Sequence, residues 1–391
     1  MIHLEVPARL STVVDQAHLT AEKLLRPGSR RNDRAEHTRP PELDALAPLA
    51  DGLNAAGGGQ VTTGEVRNGR NLASVLGIME LCWGDAGMLL SLPRLGLGNA
   101  AIASVAKGEQ AKRFAGKWAA MAITEPDTGS DSAAIRTTAV LDGDDYVLNG
   151  EKIFVTSGER ADVVVVWATL DRALGRAAIK SFVVEKGTPG FELVRLEHKL
   201  GIRASDTAHL RLDNVRVPRE NLLGDPEIDV ERSFAGVMQT FDNTRPLVAA
   251  MAVGVARAAL DETRTLLAEA GLTVDYDRAG PRIPAAVATF LDLEADYEAA
   301  YLLTLEAAWL ADNARPNSMH ASMAKAKAGH SATDIALGCV VLAGSLGYSE
   351  DSLLEKWARD AKIMDIFEGT QQIQQLIVAR RLLGKSSAEL K

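Results

Sequence analysis

The sequence has only two cysteines, Cys82 and Cys339, too few for a disulfide framework. Both sit in apolar runs, where a free thiol behaves as a small hydrophobe, so a reducing, cytoplasmic compartment is expected. Basic residues are not in excess, since 43 Lys and Arg stand against 52 Asp and Glu for a net charge of -9. With no surplus of cations to neutralise phosphates along a duplex, nucleic acid is a poor partner. Long apolar runs are missing as well. The stretch 247–256 falls far short of the roughly 20 residues that span a bilayer, and the start MIHLEVPARL lacks the apolar segment of a secretory leader. The histidines, at 3, 18, 37, 198, 209, 320 and 330, form no HxxxH or HxxE pair, so no metal centre is expected. What remains is a chain of 391 residues, 47% hydrophobic and 24% charged. That composition suits a folded globular protein, and the length suits two or three domains.

From Ala8 to about Arg113 apolar residues recur at helical spacing, through Leu10, Val13, Val14 and Ala17 and again through Leu72, Val75, Leu76 and Met79. The glycine-rich stretch 51–69 between them reads as a loop. Near Lys117 the period changes. VVVVWATL from Val163, KSFVVEK from Lys180 and HLRLDNVRV from His209 are the clearest strands, with turn signals in LDGDDYVLNG. Pro218 and Gly224 close this region, and helical periodicity resumes from Phe234, with gaps near 270–283 and 315–317. The expected fold class is therefore α+β and multidomain: an N-terminal helical domain over 1–116, a middle β domain over 117–228 and a C-terminal helical domain over 229–391. GLGNAA at Gly96 to Ala101 has the glycine spacing of a dinucleotide loop, but no strand precedes it, so a helix junction is expected there.

Three segments hold chemistry-bearing residues. AMAITEPDTGSDSAA, from Ala120, packs hydroxyls and acids into a short loop where helix gives way to sheet. Such a loop offers N–H and O–H groups to a ligand, or is a pair of capped turns. NGEKIFVTSG, from Asn149, sets Phe154 and Thr156 two apart, on one face of a strand. In ARDAKIMDIFEGTQQIQQLIVARRLL, Glu368 falls in a break before an amphipathic helix that turns Ile373, Leu376, Ile377 and Leu383 inward. A carboxyl beside Ile366 and Phe367 suits a general base of raised pKa, while a lone Glu before a helix also suits a solvated dipole partner. The residues by themselves lead to a ligand cleft and no further.

Taken together, these segments resemble the acyl-CoA dehydrogenase family, its medium-chain and short-chain flavoenzymes in particular, in the family's order from about Val6 to Leu383. The resemblance implies the family fold, with an N-terminal α-helical domain, a β-barrel-like middle domain and a C-terminal four-helix bundle. It also implies FAD as cofactor. AITEPDTGSD is similar to the flavin and thioester loop, making Ile123, Thr124, Gly129 and Ser130 cofactor contacts, with Ser130 also toward substrate; Thr128 stands where a small residue is usual. NGEKIFVTSG is similar to the flavin-flanking strand, with Phe154 where Trp is common and Thr156 retained. FDNTRPLVAAM resembles the helix that contacts the CoA portion, through Phe241, Asp242, Thr244 and Arg245. FEGTQQIQ resembles the family's most characteristic motif. There Glu368 takes the place of the catalytic base, Gly369 lies against substrate, and Thr370 and Gln372 touch the flavin.

The implied reaction is α,β-dehydrogenation of an acyl-CoA to a trans-2-enoyl-CoA, with electrons leaving to an electron-transferring flavoprotein. Glu368 removes the α-proton, the β-carbon passes a hydride to flavin N5, and the Glu368 N–H with a ribityl hydroxyl stabilises the enolate. Two departures fall on one set of contacts. The R-x-x-F-G run that normally reaches a neighbouring subunit's FAD is missing from 269–286, where Arg278 and Arg282 stand among Gly and Pro. In LGCVVLAGSLGY, from Leu337, Val341 replaces a usual Gln, and Gly344 with Ser345 a usual Gly pair. A homotetramer with altered FAD contacts fits this, and so does an α2β2 heterotetramer with a homologous subunit, as in actinobacterial members. Other readings are a non-catalytic scaffold subunit, an acyl-CoA oxidase or an acyl-carrier-protein dehydrogenase. Met79, Trp83, Met88 and Leu92 are candidates for the floor of the acyl cleft.

Overall fold

The computed structural model describes residues 8–46, 69–228, 235–277, 282–386 and 389–390. The loop expected over 51–69 lies outside them apart from Gly69. The chain opens with α1 (Ala8–Thr20), a π-helical turn (Ala21–Leu25) and α2 (Arg26–Arg34). After these come α3 (Arg70–Leu90) and α4 (Leu97–Val105). Gly69, at the N-cap of α3, has no side chain to satisfy the first N–H groups of that helix. The Asp312 carboxylate does so instead, accepting from Gly69 N at 3.0 Å, Asn71 N at 2.8 Å and Leu72 N at 3.1 Å. One correction concerns α3, which is long and apolar enough to cross a membrane although no such helix was expected. With 89% of its most apolar window buried inside the protein, it is a core helix, apolar all round because other helices surround it.

Asp85 interrupts α3 with extended φ/ψ, and its carboxylate restarts the helix by accepting from Met88 N at 2.7 Å. Charge-assisted bonds hold it there, from Ser29 Oγ at 2.5 Å and from the buried Lys356 Nζ at 2.9 Å. Asp360 shares Lys356 at 2.5 Å and accepts from Ile202 N in the β region, also at 2.5 Å. One buried network therefore ties both helical segments to the sheet.

Eight strands follow: β1 (Ala119–Ala122), β2 (Thr138–Asp142), β3 (Asp145–Thr156), β4 (Val163–Thr169), β5 (Ile179–Glu185), β6 (Phe191–Leu196), β7 (Thr207–Pro218) and β8 (Leu222–Leu223). They form one sheet in the order β6-β7-β3-β2-β4-β5-β8, with β1 pairing parallel to β4. Every residue of β4 is buried, which is why the run VVVVWAT is uniformly apolar rather than alternating. Asp142 pairs with Asp145 across a two-residue turn that needs the positive φ of Gly143, 66°. β6 escaped the sequence reading because it is an edge strand with four exposed residues.

The C-terminal helices are α5 (Ala235–Glu269), α6 (Ala285–Asp312), α7 (Ser318–Ala343), α8 (Leu354–Ala361) and α9 (Gln371–Leu383). The breaks after α5 and α6 fall where the sequence gaps predict them, whereas the break between α7 and α8 has no counterpart among those gaps. Helix α7 packs against α5, α6 and α9, and α5 also packs against α6. Their core is continuous with that of the N-terminal helices, joining Leu25, Leu76 and Leu81 to Ala249, Val253, Phe290 and Trp357. Small residues let these helices approach closely, and a Cβ on Gly254 of α5 would stand 2.3 Å from the Met79 carbonyl of α3. The sheet keeps a separate core around Val164, Val166, Phe182, Leu210 and Val215. The GLGNAA segment is a helix junction, as expected, with Gly96 at the N-cap of α4. Gly98 is pressed so near β1 that a Cβ would meet Ala119 O at 2.3 Å.

Candidate active site

The chain leaves α8 through a short 3-10 turn (Lys362–Asp365) and reverses at Glu368 and Gly369 before α9 begins. Both residues are left-handed, with φ of 54° and 92°. For a glutamate that conformation is uncommon and costs of order 1 kcal/mol, so the surroundings must hold it. Gln374, fully buried on the first turn of α9, donates Nε2 to the carbonyls of Glu368 and Gly369 at 3.0 Å each. Lys325, buried on α7, donates Nζ to the Gly369 carbonyl at 2.6 Å. A side chain in place of Gly369 would collide with Gln374, its Cβ lying 2.5 Å from Nε2.

The Glu368 carboxyl projects toward Thr244 on α5, whose hydroxyl donates to Oε2 at 2.6 Å. Burial raises the carboxyl above the ordinary Glu value; the Thr244 hydrogen bond and the charges of Arg245 and Lys325 oppose the rise without cancelling it. The same burial pushes the Lys325 ammonium down to about 8, with Glu368 and Asp365 acting to support it. Of the two sequence readings of Glu368, this desolvation favours the general base, although the residue stays partly exposed at the cavity wall.

The facing wall comes from the sheet. Ile123 and Thr124 follow β1, and the Thr124 carbonyl accepts from Ile153 N at 2.9 Å. Behind them Lys152, wholly buried, donates Nζ to Ile123 O at 3.1 Å and to Glu125 Oε1 at 2.8 Å. Burial lowers this ammonium too, to about 8, against the support of Glu125. Glu125 in turn accepts from Thr137 N and Oγ1 and from Arg136 N. Glu125 of the loop motif thus braces the wall from behind. Phe154 and Thr156 both face the cavity, but not through simple alternation. The β3–β7 register shifts between Lys152 and Val155, and Phe154 takes φ 58°, so Ile153, Phe154 and Thr156 all reach the same space.

The walls enclose a cavity of about 2300 Å³, well beyond the roughly 300–1,000 Å³ of a site for one small molecule. Ile123, Thr124, Gly129, Ser130, Phe154 and Thr156 line it on one side, and Thr244, Arg245, Glu368, Gly369 and Thr370 on the other. Among the described residues eight Lys and Arg border the cavity against three Asp and Glu. In a chain of net charge -9 that local excess suits phosphorylated ligands, although Arg359 and Lys362 are already paired with Asp33, Glu355 and Asp365 outside the lining.

Several expectations need correction. Gln372 lies on the exposed face of α9, away from the cavity. Leu383 is exposed, and Ile373, Leu376 and Ile377 border the cavity rather than the core. Met79, Met88 and Leu92 are core residues, while Trp83 is stacked under Arg26 and bonded to Asp261. Ile78, Leu89 and Leu90 of α3, with Leu95 just beyond it, meet the cavity instead. The side chains of Phe241 and Asp242, and all of Arg278, lie outside the described residues, and Arg282 is exposed. Pair spacing also missed that the fold brings Glu36, His37 and His198 together, with donor atoms within 4.8 Å of one another. Lys199, Arg160 and Arg203 crowd this group with positive charge.

Residues 120–215 match the family described as acyl-CoA dehydrogenase, middle domain, and residues 234–383 match acyl-CoA dehydrogenase, C-terminal domain. The short-chain specific acyl-CoA dehydrogenase of Clostridium acetobutylicum is 37% identical over 71% of this chain and 70% of its own length. The mitochondrial short-chain specific enzyme of Bos taurus is 40% identical over 67% of this chain and 62% of its own. The structure of butyryl-CoA dehydrogenase from Megasphaera elsdenii superposes with a TM-score of 0.84 at 30% identity, over 98% of this chain and 100% of that one. The chain therefore belongs to the acyl-CoA dehydrogenase family of oxidoreductases.

Proposed function

We propose that this protein is an FAD-dependent acyl-CoA dehydrogenase that converts a short acyl-CoA thioester to its trans-2-enoyl-CoA. The observation that carries the reading is Glu368, a desolvated carboxyl held by Thr244 at 2.6 Å on the wall of a large cationic cavity. The wall fits a flavin. Phe154 offers an aromatic surface that is 60% exposed, suited to the apolar ring edge, and the hydroxyls of Thr124, Thr156 and Thr370 and the backbone at Ile123 and Gly129 suit the polar edge. Ser130, Arg245 and Gly369, which line the cavity, are assigned to the thioester and its CoA portion, and Phe241 and Asp242 join them by family resemblance.

The flavin, when bound, supplies a hydride acceptor for the β-carbon. The chain does the rest. Glu368 removes the α-proton, and its raised pKa matches it better to that weakly acidic carbon than an ordinary carboxylate would be. Thr244 fixes which oxygen faces the substrate. The clamp on the Glu368 and Gly369 carbonyls presents the Glu368 N–H, which no described residue accepts, as a donor to the thioester oxygen while enolate charge develops. Ile78, Leu89, Leu90, Ile366 and Phe367 line the cavity with apolar surface that excludes water. Electrons then leave to an electron-transferring flavoprotein.

The protein works as an oligomer in this reading, as the base-bearing subunit of an α2β2 heterotetramer with a homologous chain. What supports this is the region of the departures in sequence. Val341 is 77% exposed and Tyr348 84%, an apolar surface at the end of α7 that a partner would cover. The test is the flavin-to-protomer ratio of this chain alone and with a homologous partner, followed by anaerobic addition of short acyl-CoAs. About half a flavin per protomer in the mixed assembly and one enoyl-CoA per flavin support the reading. A ratio near one in the chain alone contradicts the heterotetramer; flavin that is not bleached by any acyl-CoA contradicts the dehydrogenase.

A further inference from the structure

Lys325 lies behind the Glu368–Gly369 turn, fully buried on α7. Among the described residues its one hydrogen bond goes to a neutral acceptor, the Gly369 carbonyl at 2.6 Å. As a clasp this is an expensive choice, because an ammonium taken out of water costs several kcal/mol unless it is closely paired. Gln374 already gives the same carbonyl, and that of Glu368, a donor without any charge. What the lysine adds is its charge. The charged groups that act on it are Glu368 and Asp365, which favour the ammonium, and Arg245 on α5, which opposes it. Through the same field the ammonium stabilises the ionised form of Glu368.

We propose that Lys325 is a positioning residue for the reaction: it fixes the left-handed Glu368–Gly369 turn through the Gly369 carbonyl, and its positive charge keeps the buried Glu368 ionised and ready to accept a proton. The proposal rests on Glu368 being the base. It has a consequence that a purely structural lysine would not have. Burial lowers Lys325 to about 8, so its charge is lost within a pH range that an experiment can cover, and the base and its turn change when it goes.

The experiment is the rate of flavin reduction by saturating acyl-CoA, from about pH 5.5 to about pH 10. It uses FAD-loaded wild type, Lys325→Met, Lys325→Arg and Glu368→Gln, with melting temperature and flavin content measured on each. Wild type should show an acid limb and a second change of slope near pH 8. In Lys325→Met the acid midpoint should rise by about one unit and the second change should vanish. Lys325→Arg, which does not discharge, should keep the acid midpoint and also lose the second change. A folded, flavin-loaded Lys325→Met with the wild-type acid midpoint overturns the proposal. If that variant does not fold, a second change of slope that persists in Lys325→Arg, or is absent from wild type, overturns it equally. Undiminished reduction by Glu368→Gln would instead remove the base on which the proposal rests.

Discussion

Replacing Thr244 with Val deletes the hydroxyl that donates to Glu368 Oε2 at 2.6 Å while keeping the shape of the side chain. A hydrogen bond to a charged acceptor contributes about 1.5–3 kcal/mol, and one pKa unit corresponds to about 1.4 kcal/mol. Because the hydroxyl favours the ionised carboxylate and opposes the upward push of burial, its loss moves the Glu368 midpoint further up, by about one to two units. The base works only when ionised. On the acid side of the midpoint the variant should therefore reduce flavin about ten- to a hundredfold more slowly than wild type at the same pH. Above both midpoints the two rates should converge. Stopped-flow bleaching of the flavin across the pH range reads both limbs in one series. A variant that is folded and flavin-loaded but keeps the wild-type midpoint would refute the role given to this hydrogen bond. Uniform slowing at every pH would mean that Thr244 positions the carboxylate without tuning it.

Three further substitutions test the scaffold. Lys152→Met leaves the Glu125 carboxylate buried without its ammonium; a loss of about 3 kcal/mol or more in urea unfolding, with weaker flavin retention, is expected. Asp312→Ala removes the acceptor for three N–H groups at the start of α3 and should cost about 1–2 kcal/mol, seen as a lower melting temperature with little change in the rate of the chemical step. Gly98→Ala drives a Cβ to 2.3 Å from Ala119 O, so α4 and β1 must separate at a cost of about 1–3 kcal/mol; a variant as stable as wild type would contradict that packing.

The order of helix, sheet and helix is legible in the sequence because the signals are strong there: the apolar β-branched run VVVVWA of β4, and the long stretches of α5, α6 and α7 rich in helix-forming Ala and Leu. Glu368 is legible as a residue in a break, but its environment is not. The groups that set its charge and geometry come from other helices; Lys325 stands 44 positions from the carbonyl it holds. Gln374 looks like one more polar residue in TQQIQQ, although it alone of α9 is fully buried. The acyl floor is misread because α3 is apolar all round, so its sequence does not say which apolar side chains meet the cavity and which the core. Leu383 was assigned inward for a similar reason. Periodicity marks an apolar face without saying whether a core, a cavity or a partner subunit covers it. The cationic character of the cavity was hidden by the acidic composition of the whole chain, since its arginines and lysines are spread from Arg70 to Arg380 and meet only in the fold.

The central claim is that Glu368 is the base, and anaerobic mixing of a short acyl-CoA with FAD-loaded wild type and Glu368→Gln tests it most directly. Glutamine keeps the size of the side chain and can still accept the Thr244 hydrogen bond, so flavin content and acyl-CoA affinity should be close to wild type. Wild type should bleach within the mixing experiment and release enoyl-CoA. The variant should bind the thioester and leave the flavin oxidised, with the reduction rate lower by about a thousandfold or more, the upper part of the range for a lost general base. Bleaching of the variant at the wild-type rate would contradict the claim.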